Sequence, residues 1–286
     1  MSDFFKKISE LEEPYLIAEI GINHNGDINI AKKLIDATNA CSWDCAKFQK
    51  RNPEVCVPDH QKEIERDTPW GKMTYLDYKY KVEFEKNEYN IINEYCRDKH
   101  LPWTVSVWDL DSLSFIKNYK VPFIKIPSAH ITNKKLLNEA AKSEIPIILS
   151  TGISTWEIID TAVEILVKGN AEFAILQCNS TYPAPYNEIN LKVIPAMKER
   201  YGCVIGYSGH EYGLEPSVAA VVMGAQIIER HITLDHNMWG TDQKSSLEIN
   251  AMDLLKKRVK AVVQALGKPE KIITESEKPI LKKLRG

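Results

Sequence analysis

The chain has 286 residues, of which 44% are hydrophobic and 27% are charged. This is enough apolar material for a large core, so a disordered chain or a miniprotein is excluded. The 37 lysines and arginines nearly balance the 39 aspartates and glutamates, which gives a formal net charge of −2. Because there is no basic excess to neutralise a phosphate backbone, nucleic acid is not an expected partner.

The apolar runs and the cysteines indicate the compartment. No run approaches the roughly 18 apolar residues of a transmembrane helix, and the opening segment MSDFFKKISELEEP lacks the apolar stretch of a secretory signal. The six cysteines form no CxxC pair and are expected to be reduced. We therefore expect a cytoplasmic protein without a membrane partner.

Short runs rich in Val, Ile and Phe alternate with amphipathic segments along the chain. The runs predict eight strands, at 16–22, 45–50, 103–107, 123–128, 146–151, 173–178, 204–208 and 227–233. The amphipathic segments predict eight helices, at 30–40, 84–99, 110–119, 133–142, 155–168, 191–200, 216–223 and 251–266. Eight such units are typical of an α/β fold of the (β/α)8 TIM barrel type, with a doubly wound open sheet as the alternative.

We expect one domain with short extensions. Residues 1–14 are predicted to be an N-terminal lead, 15–268 the catalytic barrel and 269–286 a C-terminal tail. The longest segment without a strand–helix pattern is 51–81, which contains three prolines with charged and aromatic residues. A loop of this length after a barrel strand is usually a lid or a binding loop.

Polar residues are concentrated at the predicted carboxyl ends of the strands, where barrel enzymes place their chemistry. Lys47 and Lys125 stand within apolar strands, and burying an ammonium costs several kcal/mol unless an acceptor is present. One interpretation is an ion pair with a barrel carboxylate such as Glu19. The favoured interpretation is that both lysines bind an anionic substrate, a phosphate or a carboxylate. Hydroxyl groups at neighbouring strand ends would supply further donors: Ser106, Ser128, Ser150 and Ser208.

Four of the seven histidines also fall at strand ends: His24, His130, His210 and His231. His210 and His231 end adjacent strands, so both can reach one divalent cation, with Glu19 nearby across the closed barrel. Two imidazoles with open positions suit a catalytic metal ion. On spacing alone, two core histidines bonded to backbone carbonyls remain the alternative.

Two further features at the end of the sixth strand are ambiguous. Cys178 could be a nucleophilic thiol, although packing is favoured. The turn from Tyr182 to Tyr186 contains two prolines between its aromatic residues, and it either caps the barrel or shapes a sugar pocket.

Seven segments at these strand ends resemble the sialic acid synthase family, whose members condense phosphoenolpyruvate with an N-acetylated amino sugar. The resemblance spans residues 14–266 and follows the family's order. The segments are IAEIGINHNG (17–26), KFQ (47–49), KIPS (125–128), ILSTG (148–152), QCNSTYP (177–183), GYSGHEYG (206–213) and ERHITLD (229–235).

The resemblance implies roles for the residues above. His210 and His231 would bind a divalent metal ion, usually Mn2+ with Mg2+ or Co2+ as alternatives, and Glu19 would handle protons or orient water beside it. Residues that would hold the phosphate and carboxylate of phosphoenolpyruvate are Lys47, Ser106, Lys125, Ser128, Ser150, Ser180 and Ser208. Residues that would face the acceptor sugar are Gln49, Tyr182 and Asp242.

The implied reaction joins C3 of phosphoenolpyruvate to a metal-polarised aldehyde and releases phosphate by C–O cleavage, forming a nonulosonic acid of the sialic type. The acceptor could be N-acetylmannosamine, its 6-phosphate, or a diamino sugar leading to legionaminic or pseudaminic acids. A synthase for another phosphorylated aldose is a further alternative. No obvious basic cluster for a second phosphate is visible, although Arg51 and Lys72 in the long loop could serve. The alternative from a different class is a barrel that binds sugar or phosphoenolpyruvate without turnover.

The chain departs from the family pattern in two places. After KIPS the family commonly has a glycine and then an acid that contacts the sugar, whereas this chain has Ala129 and His130. His130 is therefore a candidate acceptor contact that would recognise hydroxyl groups differently. Many members also continue into a small antifreeze-like domain that contributes an arginine across a dimer. This chain stops at Gly286, so we expect that domain to be absent and a homodimer to be possible.

Overall fold

Strands and helices alternate through most of the chain in the computed structural model, which describes residues 3–286. The strands are β1 (Tyr15–Gly21), β2 (Cys45–Lys50), β3 (Glu65–Thr68), β4 (Gly71–Thr74), β5 (Trp103–Val107), β6 (Ile124–Ile126), β7 (Ile147–Ser150), β8 (Phe173–Cys178), β9 (Val204–Gly209) and β10 (Ile227–His231). The helices are α1 (Phe4–Ser9), α2 (Ile28–Ala40), α3 (Pro53–Cys56), α4 (Asp59–Lys62), α5 (Tyr75–Val82), α6 (Lys86–Asp98), α7 (Leu110–Ile116), α8 (Lys134–Ala141), α9 (Trp156–Lys168), α10 (Val193–Tyr201), α11 (Glu215–Val222), α12 (Ile249–Leu266) and α13 (Lys278–Arg285). Short 3₁₀ turns lie at Ser128–His130, Tyr186–Glu188 and Gln243–Ser245.

Eight parallel strands close into a barrel in the order β1-β10-β9-β8-β7-β6-β5-β2. Because β1 pairs with both β2 and β10, the sheet has no free edge, and the doubly wound alternative is excluded. The predicted (β/α)8 TIM barrel is confirmed, and each predicted strand and helix is present. Among the strands, the fourth barrel strand is shortened most, and it ends at Ile126 because Pro127 has no N–H to donate to the ladder.

The helices pack one apolar face against the barrel. In α2, Asp27 caps the first turn by accepting a hydrogen bond from the Asn29 backbone N–H. Leu34, Ile35 and Thr38 then follow at helical spacing and are buried against the strands. The helices thus cover the outer surface of the barrel, and its interior is lined by the inward-pointing residues of the strands and by the carboxyl ends of the strands.

A short helix closes the amino-terminal end of the barrel. Phe5 and Ile8 of α1 are buried, and they cluster with residues at the amino-terminal end of the barrel, among them Ile17 of β1 and Phe123, which precedes β6. The sequence pattern predicts only an N-terminal lead in this region. Six residues are too few to show a helical period, so the helix could not be seen from the sequence pattern.

The long segment after β2 is folded rather than irregular. Residues 51–82, called the lid below, contain α3, α4, the antiparallel β3–β4 hairpin and α5. Its aromatic side chains pack on the loop after β10, with ring centroids 5.8 Å apart for Trp70 and Trp239 and 4.9 Å apart for Tyr78 and Trp239. The lid therefore lies at the carboxyl end of the barrel. No helix within residues 3–286 has the length and apolarity to cross a membrane.

Candidate active site

A cavity of about 240 Å³ lies at the carboxyl ends of the barrel strands. The strand alternation turns every second residue inward, which brings together side chains far apart in sequence. The predicted site residues that line the cavity are Glu19, Lys47, Gln49, Ser106, Lys125, Ser128, Ser150, Ser180, Tyr182, Ser208, His210 and His231. Only His130 and Asp242 of the predicted set do not line it.

Two lysines and two glutamates form a buried quartet at the floor of the cavity. Lys47 Nζ lies 2.5 Å from Glu19 Oε2 and 3.6 Å from Glu229 Oε1. Lys125 Nζ lies 2.8 Å from the same Glu229 oxygen. Both lysines thus pair with barrel carboxylates, as the first of the two sequence interpretations expected. With both carboxylates ionised, the quartet carries no net charge.

The two carboxyl groups differ in their affinity for protons. Burial raises the pKa of Glu19 above its usual value, against the opposing charge of Lys47. Burial acts in the same direction on Glu229, but the ammonium groups of Lys125 and Lys47 outweigh it and lower the pKa of this carboxyl. Glu19 is therefore the member that accepts a proton first. A protonated Glu19 leaves the quartet positively charged and able to bind an anion.

Small hydroxyl side chains line the wall beside the quartet. Ser128 Oγ accepts a hydrogen bond from the Gly152 backbone N–H at 2.9 Å, and Ser150 Oγ is buried without a hydrogen-bond partner among the described residues. A methyl group added at Gly152 would lie 2.1 Å from Ser180 Oγ. The glycine keeps this space open, and the hydroxyls around it can donate to the oxygens of a phosphate or carboxylate.

The two predicted metal ligands face each other above the quartet, with ring centroids 5.4 Å apart. His210 Nδ1 lies 2.6 Å from the Asn179 carbonyl oxygen, a contact that requires a proton on Nδ1, so Nε2 carries the lone pair when the ring is neutral. That Nε2 lies 2.8 Å from the Tyr182 hydroxyl. Burial lowers the pKa of His231 well below its usual value, so this imidazole is neutral. Burial acts in the same direction on His210, but the neighbouring Cys178 and the Asn179 carbonyl outweigh it and raise the pKa of this imidazole. A metal ion requires the neutral form of both rings and would have to displace any proton on His210 Nε2.

The donor set fits a metal ion held by two histidines with open positions. His231 Nδ1 is buried without a hydrogen-bond partner in the described part of the chain, and the nearest carboxylate, Asp242 Oδ2, is 3.8 Å away. Within residues 3–286 no group of three or more His, Cys, Asp or Glu side chains stands in ligand geometry. Two imidazoles with further coordination positions left open suit a Lewis-acid ion rather than a closed structural site.

The two predicted residues that do not line the cavity stand at its rim. His130 ends the short 3₁₀ turn after β6, and its ring lies edge-on to Trp108 with centroids 5.3 Å apart. Trp108 itself lines the cavity. His130 thus supports a wall residue, while Asp242 lies beside His231 in the loop after β10.

Two residues of the site, Glu229 and Trp108, have no role assigned from the sequence, whereas Arg51 is a candidate there only for a second phosphate. Glu229 lies two residues before His231, and the period of two in a strand places both on the same inward face. That signal was present in the sequence. Trp108 and the buried Arg51 stack at 4.3 Å, and only the fold shows that this contact lies at the cavity wall.

A closed (β/α)8 barrel with buried ionisable groups at the carboxyl ends of its strands is typical of barrel enzymes, which build their active sites from these strand ends. Comparison with known proteins narrows the class. The model of the NeuB family matches residues 34–271. The chain belongs to the NeuB family, and the resemblance to sialic acid synthases that the seven segments indicated is confirmed.

Individual relatives agree with this assignment. The chain is 37% identical over 275 residues to N-acetylneuraminate-9-phosphate synthase of Homo sapiens, an alignment that covers 94% of this chain and 76% of that protein. It is 34% identical to N,N'-diacetyllegionaminic acid synthase of Campylobacter jejuni, with 93% and 81% covered. The crystal structure of N-acetylneuraminic acid synthetase from Leptospira borgpetersenii in complex with citrate superposes with a TM-score of 0.85 at 31% identity, covering 95% of this chain and 91% of that one.

Proposed function

We propose that this protein condenses phosphoenolpyruvate with an N-acylated amino sugar of the N-acetylmannosamine type, forming a sialic-acid-like nonulosonic acid and inorganic phosphate. The observation that carries the proposal is the buried quartet with two histidines directly above it in one cavity. The names of the relatives, which include sialic acid and legionaminic acid synthases, support the same reaction class.

Lys47 and Lys125, together with the serine hydroxyls around Gly152, would bind the phosphate and carboxylate of phosphoenolpyruvate. The quartet supports this role because Glu19 and Glu229 hold the two ammonium groups in fixed positions before the anion arrives. Fixed donors in a buried site do not have to reorganise when charge develops, which is the main electrostatic advantage of an enzyme site.

His210 and His231 would hold a divalent ion, most suitably Mn2+, which polarises the aldehyde oxygen of the open-chain sugar when bound. In the condensation, C3 of phosphoenolpyruvate forms a bond to the aldehyde carbon, and the aldehyde oxygen takes up a proton and becomes a hydroxyl. Water adds at C2, the bond from C2 to the phosphate oxygen breaks, and phosphate leaves. Glu19, whose pKa burial raises, would move the proton of that water.

The acceptor would lie between the histidines and the rim of the cavity. Tyr182 stacks on His210 with centroids 4.0 Å apart, and Gln49 Nε2 donates to Glu19 Oε1 at 2.9 Å. Both side chains therefore lie where the carbon chain of a sugar, with its aldehyde above the quartet, would extend toward the rim. Asp242, near His231, is placed to accept hydrogen bonds from sugar hydroxyls.

The proposal is tested by incubating the protein with phosphoenolpyruvate, Mn2+ and a panel of N-acylated hexosamines, with and without a 6-phosphate, and with diamino sugars. Mass spectrometry is expected to detect a 2-keto acid, with equal release of phosphate. When the bridging oxygen of phosphoenolpyruvate carries ¹⁸O, C–O cleavage places the label in the phosphate. Tight binding of phosphoenolpyruvate without turnover of any sugar would instead support a non-catalytic barrel.

A further inference from the structure

We propose that the lid and the adjoining end of β2 carry a second anion site, formed by Arg51, Arg66 and Lys79, which binds the phosphate of a 6-phosphorylated acceptor sugar. The inference rests on the proposed function, because it names the acceptor class of the same site. It concerns a cluster that the condensation described above does not use.

The three cations lie close enough together to influence one another. Burial lowers the pKa of Lys79 to about 8, and the positive charges of Arg51 and Arg66 add to the effect. Burial and the charge of Asp242 raise the pKa of the neighbouring Tyr78 to about 12, against the opposing charges of the same two arginines. The cluster is therefore next to Asp242, the rim residue that lies 3.8 Å from His231.

Each of these cations packs against an aromatic ring. The Arg51 guanidinium lies 4.3 Å from the Trp108 ring, the Arg66 guanidinium lies 3.8 Å from the Tyr75 ring, and Lys79 Nζ lies 5.1 Å from Tyr75. Within residues 3–286 no carboxylate oxygen comes within 4.0 Å of the Lys79 ammonium or the Arg66 guanidinium. A ring face positions a cation without cancelling its charge, so the cluster stays positive, in contrast to the neutral quartet on the cavity floor.

Arg51 has one near carboxylate, but that group is already paired. Glu83 Oε2 lies 3.8 Å from Arg51 Nε, whereas Glu83 Oε1 accepts a hydrogen bond from Lys50 Nζ at 2.9 Å. Arg51 Nε is buried and makes no hydrogen bond to any described residue. An arginine with a free, buried donor is well suited to bind a phosphate oxygen.

The cluster stands where the far end of the acceptor would lie. Arg51 donates to the side-chain oxygen of Gln49, and both Gln49 and Trp108 line the cavity. The aldehyde must meet phosphoenolpyruvate at the floor, above Lys47 and Lys125. The opposite end of an open-chain hexose, its C6, then points out of the barrel toward the lid. A phosphate at C6 would meet the cations there.

Lys72, the other loop cation that is a sequence candidate for a second phosphate, is placed differently from Arg51. It lies on the exposed β3–β4 hairpin, with Nζ 2.5 Å from Glu65 Oε2. Its charge is neutralised by that partner, and it is not part of the cluster. It therefore provides a matched control on the same lid.

The test compares kcat/KM for N-acetylmannosamine 6-phosphate and N-acetylmannosamine, with saturating phosphoenolpyruvate and Mn2+. The unaltered enzyme is expected to prefer the phosphorylated sugar by about 100-fold or more, and Lys79→Gln to lose about 10-fold or more of that preference through a higher KM for the phosphosugar, as expected for one charge-assisted hydrogen bond. Lys79→Arg, which keeps the charge, and Lys72→Gln should retain the preference. The KM for phosphoenolpyruvate should be the same in all variants, which excludes a folding defect.

Two results would overturn the inference while leaving the proposed function intact. One is turnover of N-acetylmannosamine as efficient as that of its 6-phosphate, and the other is an unchanged preference in Lys79→Gln. Failure of the proposed function gives a different result, since neither sugar nor any diamino sugar would then form product.

Discussion

The carboxylate of Glu211 and the guanidinium of Arg230 form an ion pair with Oε1 and Nη1 3.0 Å apart, and both side chains are fully buried. Glu211 directly follows His210, and Arg230 directly precedes His231. Alternate residues of a strand face opposite sides, so Arg230 points away from the cavity while His231 points into it. The pair links the ends of β9 and β10 on the side of the barrel wall that faces away from the cavity. We infer that it fixes the separation of the two histidines.

Removing one partner of this pair should destabilise the fold strongly. Glu211→Gln leaves the Arg230 guanidinium buried without its counter-charge, and we expect the free energy of unfolding to fall by about 3–5 kcal/mol. The double substitution Glu211→Leu with Arg230→Met removes both charges and should recover most of that loss. Urea denaturation followed by circular dichroism measures the free energy of unfolding of the single and the double variant. A Glu211→Gln protein within 1 kcal/mol of the parent would show that the pair does not stabilise the fold.

The histidines themselves should determine metal content. His210→Ala and His231→Ala each remove one of the two imidazole donors, and we expect both to lose the bound divalent ion and the condensation activity. Metal is measured by mass spectrometry of dialysed protein loaded with Mn2+. His60→Ala, which removes an exposed histidine of α4, is the control and should keep its metal. Full occupancy in either cavity variant would disprove the ligand assignment.

Gly152 should be intolerant of even a methyl group. Its added Cβ would lie 2.1 Å from Ser180 Oγ and 2.9 Å from Ser128 Oγ, so the hydroxyls must move out of the space assigned to the substrate anion. For Gly152→Ala we expect KM for phosphoenolpyruvate to rise about 10-fold or more, because hydrogen bonds to a charged group contribute about 1.5–3 kcal/mol. The unfolding midpoint should change little, since the displaced side chains are small. An unchanged KM would place the anion elsewhere.

The barrel and most of the site could be predicted because they depend on patterns of period two and on strand ends. Lys47 and Gln49, two residues apart, had to face the same way, and the adjacency of the strands that end in His210 and His231 followed from the barrel order. Glu229 was equally accessible by that logic, two residues before His231. The sequence indicates that the buried ammonium of Lys125 needs an acceptor, but it does not show that Glu229, on a strand across the barrel, is the carboxylate that supplies it.

The remainder of the site depends on contacts between segments without a repeating pattern. The lid cations are recognisable as a cluster only after α5 has packed Tyr78 against Trp239, about 160 residues further along the chain. The Glu211–Arg230 pair is also invisible in sequence, where the two residues are simply neighbours of more conspicuous histidines. Hydrophobic periodicity predicts which face of an element is buried, and it does not predict which loops meet.

His24 should make stability depend on pH. Its ring is buried, stacked on Phe84 with centroids 3.9 Å apart, and burial followed by the charge of Arg51 lowers its pKa to about 3. In the unfolded chain the pKa is about 6.5. Between these values the unfolded state binds a proton that the folded state does not, so stability is complete above pH 6.5 and falls as the pH falls toward 3.

The contribution of His24 can be isolated by comparing two pH values. From pH 7 to pH 5 it should account for a loss of about 2 kcal/mol in the free energy of unfolding. In a His24→Asn variant the other titrating groups contribute the same pH dependence of stability as in the parent. The Asn side chain can still accept the hydrogen bond from the Gly26 N–H that His24 Nδ1 accepts at 3.1 Å. The drop between the two pH values should therefore be about 2 kcal/mol smaller in His24→Asn than in the parent, while the exposed-site control His60→Asn should match the parent. Equal drops in all three proteins would mean that His24 binds its proton in the folded state as readily as in the unfolded one.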